Sequence, residues 1–134
     1  MLGDLLYEES GQVTGTRVLP TETGAPRVET SFHATGTIDG IHHEDTGTYV
    51  AAARPDGTIF GEGQGMLVTE NGDVATWTGQ GTARVLEGGR TSFRGAVYYQ
   101  TNAERLARLN GACGVFEYDV DAGGKTEGKI WEWK

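Results

Sequence analysis

The stretch Ile59–Leu67 reads Ile-Phe-Gly-Glu-Gly-Gln-Gly-Met-Leu, with glycine at three alternate positions. The stretch Trp77–Ala83 repeats this spacing as Trp-Thr-Gly-Gln-Gly-Thr-Ala. A period of two is typical of a β-strand, in which successive side chains point to opposite faces of the sheet. One face of two neighbouring strands is therefore almost bare. Because glycine weakens a strand, such a face is expected where a sheet coils tightly or where another group approaches the backbone. The two stretches predict a small closed β-barrel.

The composition indicates one globular domain spanning residues 1–134, which is long enough to bury a real core. The formal net charge of −8 argues against nucleic acid as a partner, since phosphate binding needs a basic surface. No apolar run is long enough for a membrane-spanning helix, and the N-terminal sequence lacks the features of a signal peptide. We therefore expect no membrane partner and a cytoplasmic location. The single cysteine, Cys113, leaves no internal disulfide and is expected to be a buried, inert thiol.

Turn residues divide the chain into strands. Pro-Asp-Gly at 55–57, Asn-Gly within 70–73 and Gly-Gly within 87–89 are hairpin signals. The predicted strands cover 4–19 (interrupted at 10–11), 27–38, 46–54, 58–69, 73–86, 90–101, 112–121 and 127–133. One short helix is predicted near 102–109, because Asn102 can cap it and Leu106 and Leu109 share one face. A meander of eight strands loses its edges by closing. The predicted fold class is therefore all-β, a closed, mostly antiparallel eight-stranded barrel.

The odd-numbered positions of the central strands are apolar, so we place them inside the barrel. Three-residue loops at 71–73 and 87–89 would keep each face aligned across the strands. The resulting register sets Leu67 beside Trp77 and Tyr99, and Gly63 beside Gly81 and Gly95.

The predicted interior has an aromatic end and a glycine-lined middle. Such an interior is compatible with a cavity for one small apolar molecule, although the glycines by themselves fit close packing somewhat better. The alternative is that the glycines only allow close packing and sharp coiling of the strands. The residues predicted to contact a ligand are Trp77, Tyr99, Phe93, Gly63, Gly79, Gly81 and Gly95.

Three glutamates are candidate catalytic groups. Glu8 and Glu9 are adjacent, so one of them must point inward if the first strand lines the barrel. A buried carboxylate has a raised pKa and can act as a general acid or base. Glu117, on a later strand, is a third candidate of the same kind. For each of them a solvent-exposed position is the alternative that we favour.

The run His42-His43-Glu44-Asp45 contains the residue types that bind metals. Adjacent strand residues point in opposite directions, so the two histidines cannot easily share one ion. We expect a solvated turn here and no metal site. His33 falls on the polar face of its strand and is expected to be exposed. The sequence contains no phosphate-binding loop, nucleophile elbow or zinc-protease motif, and we predict no cofactor.

A spacing of glycines and aromatic residues covers most of residues 27–121. Its parts are Thr30-Ser31-Phe32 with Gly36 and Gly40, the stretch 61–65, Phe93-Arg94-Gly95, Leu109-Asn110-Gly111 and the stretch 114–117. In this spacing the chain resembles small bacterial proteins with the allene-oxide-cyclase-type β-barrel. The resemblance implies an eight-stranded barrel whose relatives include cyclases of unsaturated ligands and many uncharacterised proteins. In the plant cyclases a glutamate on an early strand serves the chemistry, and Glu8 or Glu9 is its counterpart here.

Three functions follow as hypotheses. The first, which we favour, is a barrel that binds a small apolar or amphipathic molecule without acting on it. The second is a cofactor-free cyclase or isomerase, which requires a carboxylate that faces the cavity. The third is a structural protein with a filled barrel. A homo-oligomer is also expected, because Phe60, Met66 and Tyr98 lie among polar residues on the even-numbered face, a composition that suits an interface.

Overall fold

The computed structural model describes residues 2–134. Eight strands follow one another along the chain: β1 (Leu2–Val18), β2 (Arg27–Ile38), β3 (Ile41–Ala53), β4 (Ile59–Thr69), β5 (Val74–Val85), β6 (Thr91–Thr101), β7 (Gly114–Val120) and β8 (Lys125–Trp133). Two short 3₁₀ helices, Glu87–Gly89 and Glu104–Gly111, lie on either side of β6. Within residues 2–134, no helix has the length and apolar character needed to cross a lipid bilayer.

The strands form one closed barrel in sequence order, and every neighbouring pair is antiparallel. Closure comes from β1, which pairs with β2 on one side and with β8 on the other. The long first strand therefore satisfies both edges that an open meander would leave unpaired. The predicted fold class is confirmed.

The register between β4 and β5 differs by two residues from the prediction. Leu67 pairs with Ala75, and Trp77 pairs with Gly65. The loop is Glu70–Gly72 rather than 71–73. Gly72, the third residue of the loop, has a positive φ of 83°, and the Thr69 N–H donates a hydrogen bond to the Asp73 carbonyl across the base of the loop. The register between β5 and β6 is as predicted, with Trp77 opposite Tyr99.

Two further boundaries are corrected. The first strand, β1, is continuous through residues 10–11, and β3 begins at Ile41 instead of residue 46. Asp39 and Gly40 both have positive φ and form a two-residue turn that leaves Ile38 and Ile41 paired. The run 42–45 therefore lies in a strand and not in a solvated turn.

A 3₁₀ helix closes one end of the barrel. It occupies Glu104–Gly111, slightly later than the predicted helix at 102–109, and Asn102 does not cap it. Its Leu106 and Leu109 are buried in the core at that end. Asn110 exchanges two side-chain hydrogen bonds with the Thr101 backbone, which fixes the helix against the end of β6. The predicted helical segment is therefore present, as a 3₁₀ helix and not an α-helix.

Several glycines make room for aromatic rings inside the barrel. A Cβ atom at Gly65 would clash with the Trp77 indole, and one at Gly47 would lie 2.6 Å from the same ring. A Cβ at Gly61 would lie 3.0 Å from the Phe93 ring. Part of the bare strand face is therefore occupied by large side chains that reach across from neighbouring strands.

This packing predicts the effect of adding one methyl group. We expect Gly65→Ala to lower the free energy of unfolding by roughly 1–3 kcal/mol, since the new Cβ must displace the Trp77 ring. Gly15→Ala is the matched control, because a Cβ there meets no atom within 4 Å. It should be neutral or stabilising by up to about 1 kcal/mol. Urea denaturation checks both values, and equal stability of the two variants would contradict the packing argument.

Candidate functional site

A carboxyl pair is buried inside the barrel. Glu9 on β1 and Asp45 on β3 share a hydrogen bond, and they are 8% and 2% exposed. His43 Nε2 lies 3.0 Å from Glu9 Oε2, and the Trp77 indole N–H donates to Asp45 Oδ1 at 2.8 Å. Alternation along β3 turns His43 and Asp45 to the same inner face, and Glu9 meets them from β1. We call Glu9 and Asp45 the carboxyl pair.

Burial controls the ionisation of these groups. It raises the pKa of Asp45 to about 9, with the neighbouring Glu9 carboxyl adding to the effect. Burial also raises the pKa of Glu9, while its hydrogen bond with Asp45 opposes that rise. The pKa of His43 is lowered, again mainly by burial. At neutral pH Asp45 therefore keeps its proton and His43 is uncharged.

The unpaired nitrogen of His43 indicates where the remaining protons lie. Among residues 2–134, His43 Nδ1 is one of the few buried side-chain atoms without a hydrogen-bond partner. A buried N–H group without a partner is rarer in proteins than a buried acceptor without one. His43 therefore carries its proton on Nε2 and donates it to Glu9. Glu9 then accepts a hydrogen bond from His43 and shares a proton with Asp45 within the carboxyl pair.

Two tyrosines complete the polar cluster. The Tyr7 and Tyr99 hydroxyls lie 2.6 Å apart and are buried at the end that the 3₁₀ helix covers. The edge of the Tyr7 ring packs against His43, with ring centroids 5.1 Å apart. Burial raises the pKa of Tyr7, and the neighbouring Tyr99, Glu9 and Asp45 raise it further. Both phenols therefore stay protonated.

A cavity of about 90 Å³ lies next to the carboxyl pair. One buried water needs about 10–15 Å³ on this measure, so the cavity has room for several atoms. Its walls are almost entirely apolar. The side chains and glycines around it include Tyr7, Glu9, Phe32, Asp45, Tyr49, Gly63, Trp77, Gly79, Gly81, Phe93, Val97, Phe116, Tyr118, Gly128 and Ile130.

The structure brings most of the predicted ligand-contacting residues to this cavity. Trp77, Phe93, Gly63, Gly79 and Gly81 line it. Tyr99 and Gly95 do not: Tyr99 lies behind Tyr7, to which it is hydrogen bonded, and Gly95 lies against the backbone of Gln80 and Gly81.

A larger space of about 440 Å³ lies at the end of the barrel opposite the 3₁₀ helix Glu104–Gly111. Tyr49 and Phe93 line both spaces, with their rings edge to face and 5.5 Å apart. Neutral polar groups such as Gln12, Thr16 and Thr91 line the outer space. The two spaces therefore form an inner cavity and an outer mouth, with an aromatic partition between them.

The three glutamate candidates have different positions. Glu9 faces inward, contrary to the solvent-exposed position that we favoured, and Glu8 is exposed on the outside of the same strand. Glu117 is also exposed, 3.9 Å from the Arg94 guanidinium, although it is among the residues around the inner cavity. His33 is partly exposed on the outer face, with 44% of its side chain accessible.

Sequence reasoning missed His43 and Asp45. Among residues 2–134, no group of three His, Cys, Asp or Glu side chains is arranged to hold a metal ion. The run 42–45 instead alternates between the two faces of β3, with His42 and Glu44 outside. The two-residue turn at Asp39-Gly40 was the signal that could have shown this, since it extends the strand through the run.

Comparison with known proteins identifies the fold. No family model matches the sequence, and no curated protein is similar to it. A crystal structure of a conserved protein of unknown function from Rhodopseudomonas palustris has a TM-score of 0.83 at 13% identity, covering 98% of this chain and 97% of that chain. A β-barrel-like protein from Acinetobacter baumannii has a TM-score of 0.83 at 13% identity, covering 100% and 96%.

An enzyme from Penicillium herquei has a TM-score of 0.63 at 14% identity, covering 96% of this chain and 94% of that chain. At these identities the likeness establishes the fold and transfers no activity. The chain is thus a small β-barrel protein similar in architecture to barrels of unknown function.

The buried proton of Asp45 predicts how stability depends on pH. The pKa of Asp45 in the folded protein lies well above its ordinary value. The protonated carboxyl group therefore stabilises the folded protein fully at acidic pH, and this stabilisation is lost as pH rises toward about 9. Asp45→Asn keeps a neutral hydrogen-bonding side chain and removes this loss. As pH rises from about 5 to about 8, the free energy of unfolding of Asp45→Asn should therefore increase by about 1 kcal/mol or more relative to that of the wild type.

Chemical denaturation at the two pH values measures this difference, with Glu8→Gln as the exposed control on β1. A constant stability difference between Asp45→Asn and the wild type would show that Asp45 is already ionised in the folded protein.

Proposed function

We propose that the barrel interior binds one small, mainly apolar molecule. The observation that carries the proposal is the inner cavity, which has mainly apolar walls and the carboxyl pair facing into it. Binding sites for small molecules commonly combine an apolar cavity with a few placed polar groups. The mouth beyond Tyr49 and Phe93 supplies a route from solvent. A structural protein with a filled barrel would need neither space.

A second function is favoured by the position of the carboxyl pair. Glu9 and Asp45 face the inner cavity, which is the arrangement that a cofactor-free isomerase or cyclase requires. Asp45 holds its proton and can donate it, while Glu9, once it has lost its own proton, can accept one. Two carboxyl groups with separated pKa values are a common acid–base arrangement in enzymes.

The proton transfers of such a reaction balance within the pair. Glu9 would remove a proton from a carbon next to a carbonyl group, and Asp45 would donate its proton to the carbonyl oxygen. The resulting enol would regain a proton on carbon from Glu9 while Asp45 recovers its own from the enol hydroxyl. Where a C=C bond of the substrate is conjugated with the enol, return of the proton to the far carbon of that bond would shift the double bond and give an isomerised product. The Trp77 N–H, which donates to Asp45, orients that carboxyl group throughout.

The comparisons are compatible with either function. One neighbour of the same architecture is described as an enzyme, and two others as proteins of unknown function. The likeness to allene-oxide-cyclase-type barrels remains part of this proposal, as does the cytoplasmic location. We also propose a homo-oligomer that uses the outer face around Met66 and Tyr98, which are 46% and 51% exposed. Light scattering of the purified protein tests this assembly.

Filling the inner cavity should prevent binding. Gly128 lines it, and a Cβ at this position would lie at ordinary contact distance, 3.6 Å, from Glu9 and Tyr118. We expect Gly128→Val to weaken binding of cyclopentanol at least about tenfold, since the added methyl groups take the space of the ligand. Calorimetric titration measures the affinity. Gly15→Val, which fills no cavity, is the control, and equal affinity in both variants would place the ligand elsewhere.

Proton transfer is tested with cyclopentanone in deuterated water. We expect the wild type to catalyse hydrogen–deuterium exchange at the carbon next to the carbonyl group. In Glu9→Gln the exchange rate should be at least about a hundredfold lower. The rate should rise as Glu9 loses its proton and fall as pH passes about 9, where Asp45 loses its own. Glu8→Gln should behave as the wild type. An equal rate in Glu9→Gln would remove the catalytic proposal and leave the binding proposal standing.

A further inference from the structure

We propose that the inner cavity selects a small organic cation, a protonated amine with an apolar body. This inference rests on the proposed binding function and specifies the charge of the ligand. It follows from three properties of the cavity: the charge of the carboxyl pair, the kinds of side chain around it and the arrangement of aromatic rings.

The first property is a buried pair of acidic groups with no positive charge beside it. Of the groups around Glu9, His43 donates one N–H and Asp45 donates its proton, but neither carries a positive charge. Tyr7 and Tyr99 are neutral phenols. A buried charge without a partner of opposite sign is costly. An ammonium group in the cavity would supply the missing charge at the one place where the protein lacks it.

The second property is the absence of a basic group facing either space. Among residues 2–134, no lysine, arginine or histidine lines the inner cavity or the mouth. His43 contacts Glu9 but does not line the cavity. A ligand carboxylate would therefore find no positive partner on its way in and would meet two acidic groups at the carboxyl pair. Such a contact disfavours anions strongly.

The third property is a cavity wall rich in aromatic rings. Trp77 stacks on Phe32 with ring centroids 6.2 Å apart, and Tyr118 packs against Phe32 at 5.4 Å. Tyr49 and Phe93 continue this wall toward the mouth. The faces of aromatic rings attract cations, and the attraction increases when the cation leaves water. The same rings contact the apolar body of the ligand, so the wall suits an alkylammonium ion better than a hydrated metal ion.

The test compares three probes of nearly the same shape: cyclopentylammonium, cyclopentanol and cyclopentanecarboxylate. At neutral pH we expect the wild type to bind the ammonium ion at least about tenfold more tightly than the alcohol and to show no detectable binding of the carboxylate. Glu9→Gln should lose the preference for the ammonium ion while still binding the alcohol. Glu8→Gln, which changes the net charge equally from the outside of the barrel, should keep the preference.

The outcomes separate this inference from the binding proposal. If the alcohol binds as tightly as the ammonium ion, or the carboxylate binds, the charge inference is wrong and the apolar cavity remains a binding site. If none of the three probes binds, both proposals fail. Should Glu9→Gln not fold, the wild type still decides the matter. Its preference for the ammonium ion must disappear toward acidic pH, where Glu9 gains a proton, and a preference unchanged by pH would overturn the inference.

Discussion

The interior of this barrel depends on the position of one indole ring. Trp77 lies over Gly47 and Gly65, where any side chain would collide with it, and its N–H donates to Asp45. The glycines fix the height of the ring above the sheet, and the hydrogen bond fixes its direction. The carboxyl pair is oriented as a result, and the inner cavity is the space that remains beside the ring. Glycines on β3 and β4 thus control the orientation of a carboxyl group on β3 through an indole ring of β5.

The architecture could be predicted from the sequence because its signals are local. Alternation defines each strand, and Gly-containing turns define where the strands reverse. The errors arose where a turn could be placed in two ways. Gly72 belongs at the third position of its loop, and that shift of one residue at the loop moved the register of β4 and β5 by two. At Asp39-Gly40 the turn is so tight that β3 starts earlier than expected.

The candidate site was predictable only in part. Parity required that one of Glu8 and Glu9 point inward, and it placed Trp77 and Phe93 inside. The partners of Glu9 could not be found in this way, because Asp45 and His43 lie 34 or more residues away and approach Glu9 only when β1, β2 and β3 form the barrel. Their ionisation depends on burial, which is a property of the assembled fold and not of the local sequence.

The 3₁₀ helix that closes one end of the barrel has a kinetic consequence. With Leu106 and Leu109 filling that end, the proposed route of a ligand into the interior runs through the mouth, past Tyr49 and Phe93. Any reaction that joined two molecules there would follow a fixed order of addition, because the first to arrive occupies the deep position and the second blocks its exit. Release would run in reverse, so that the last molecule to enter is the first to depart.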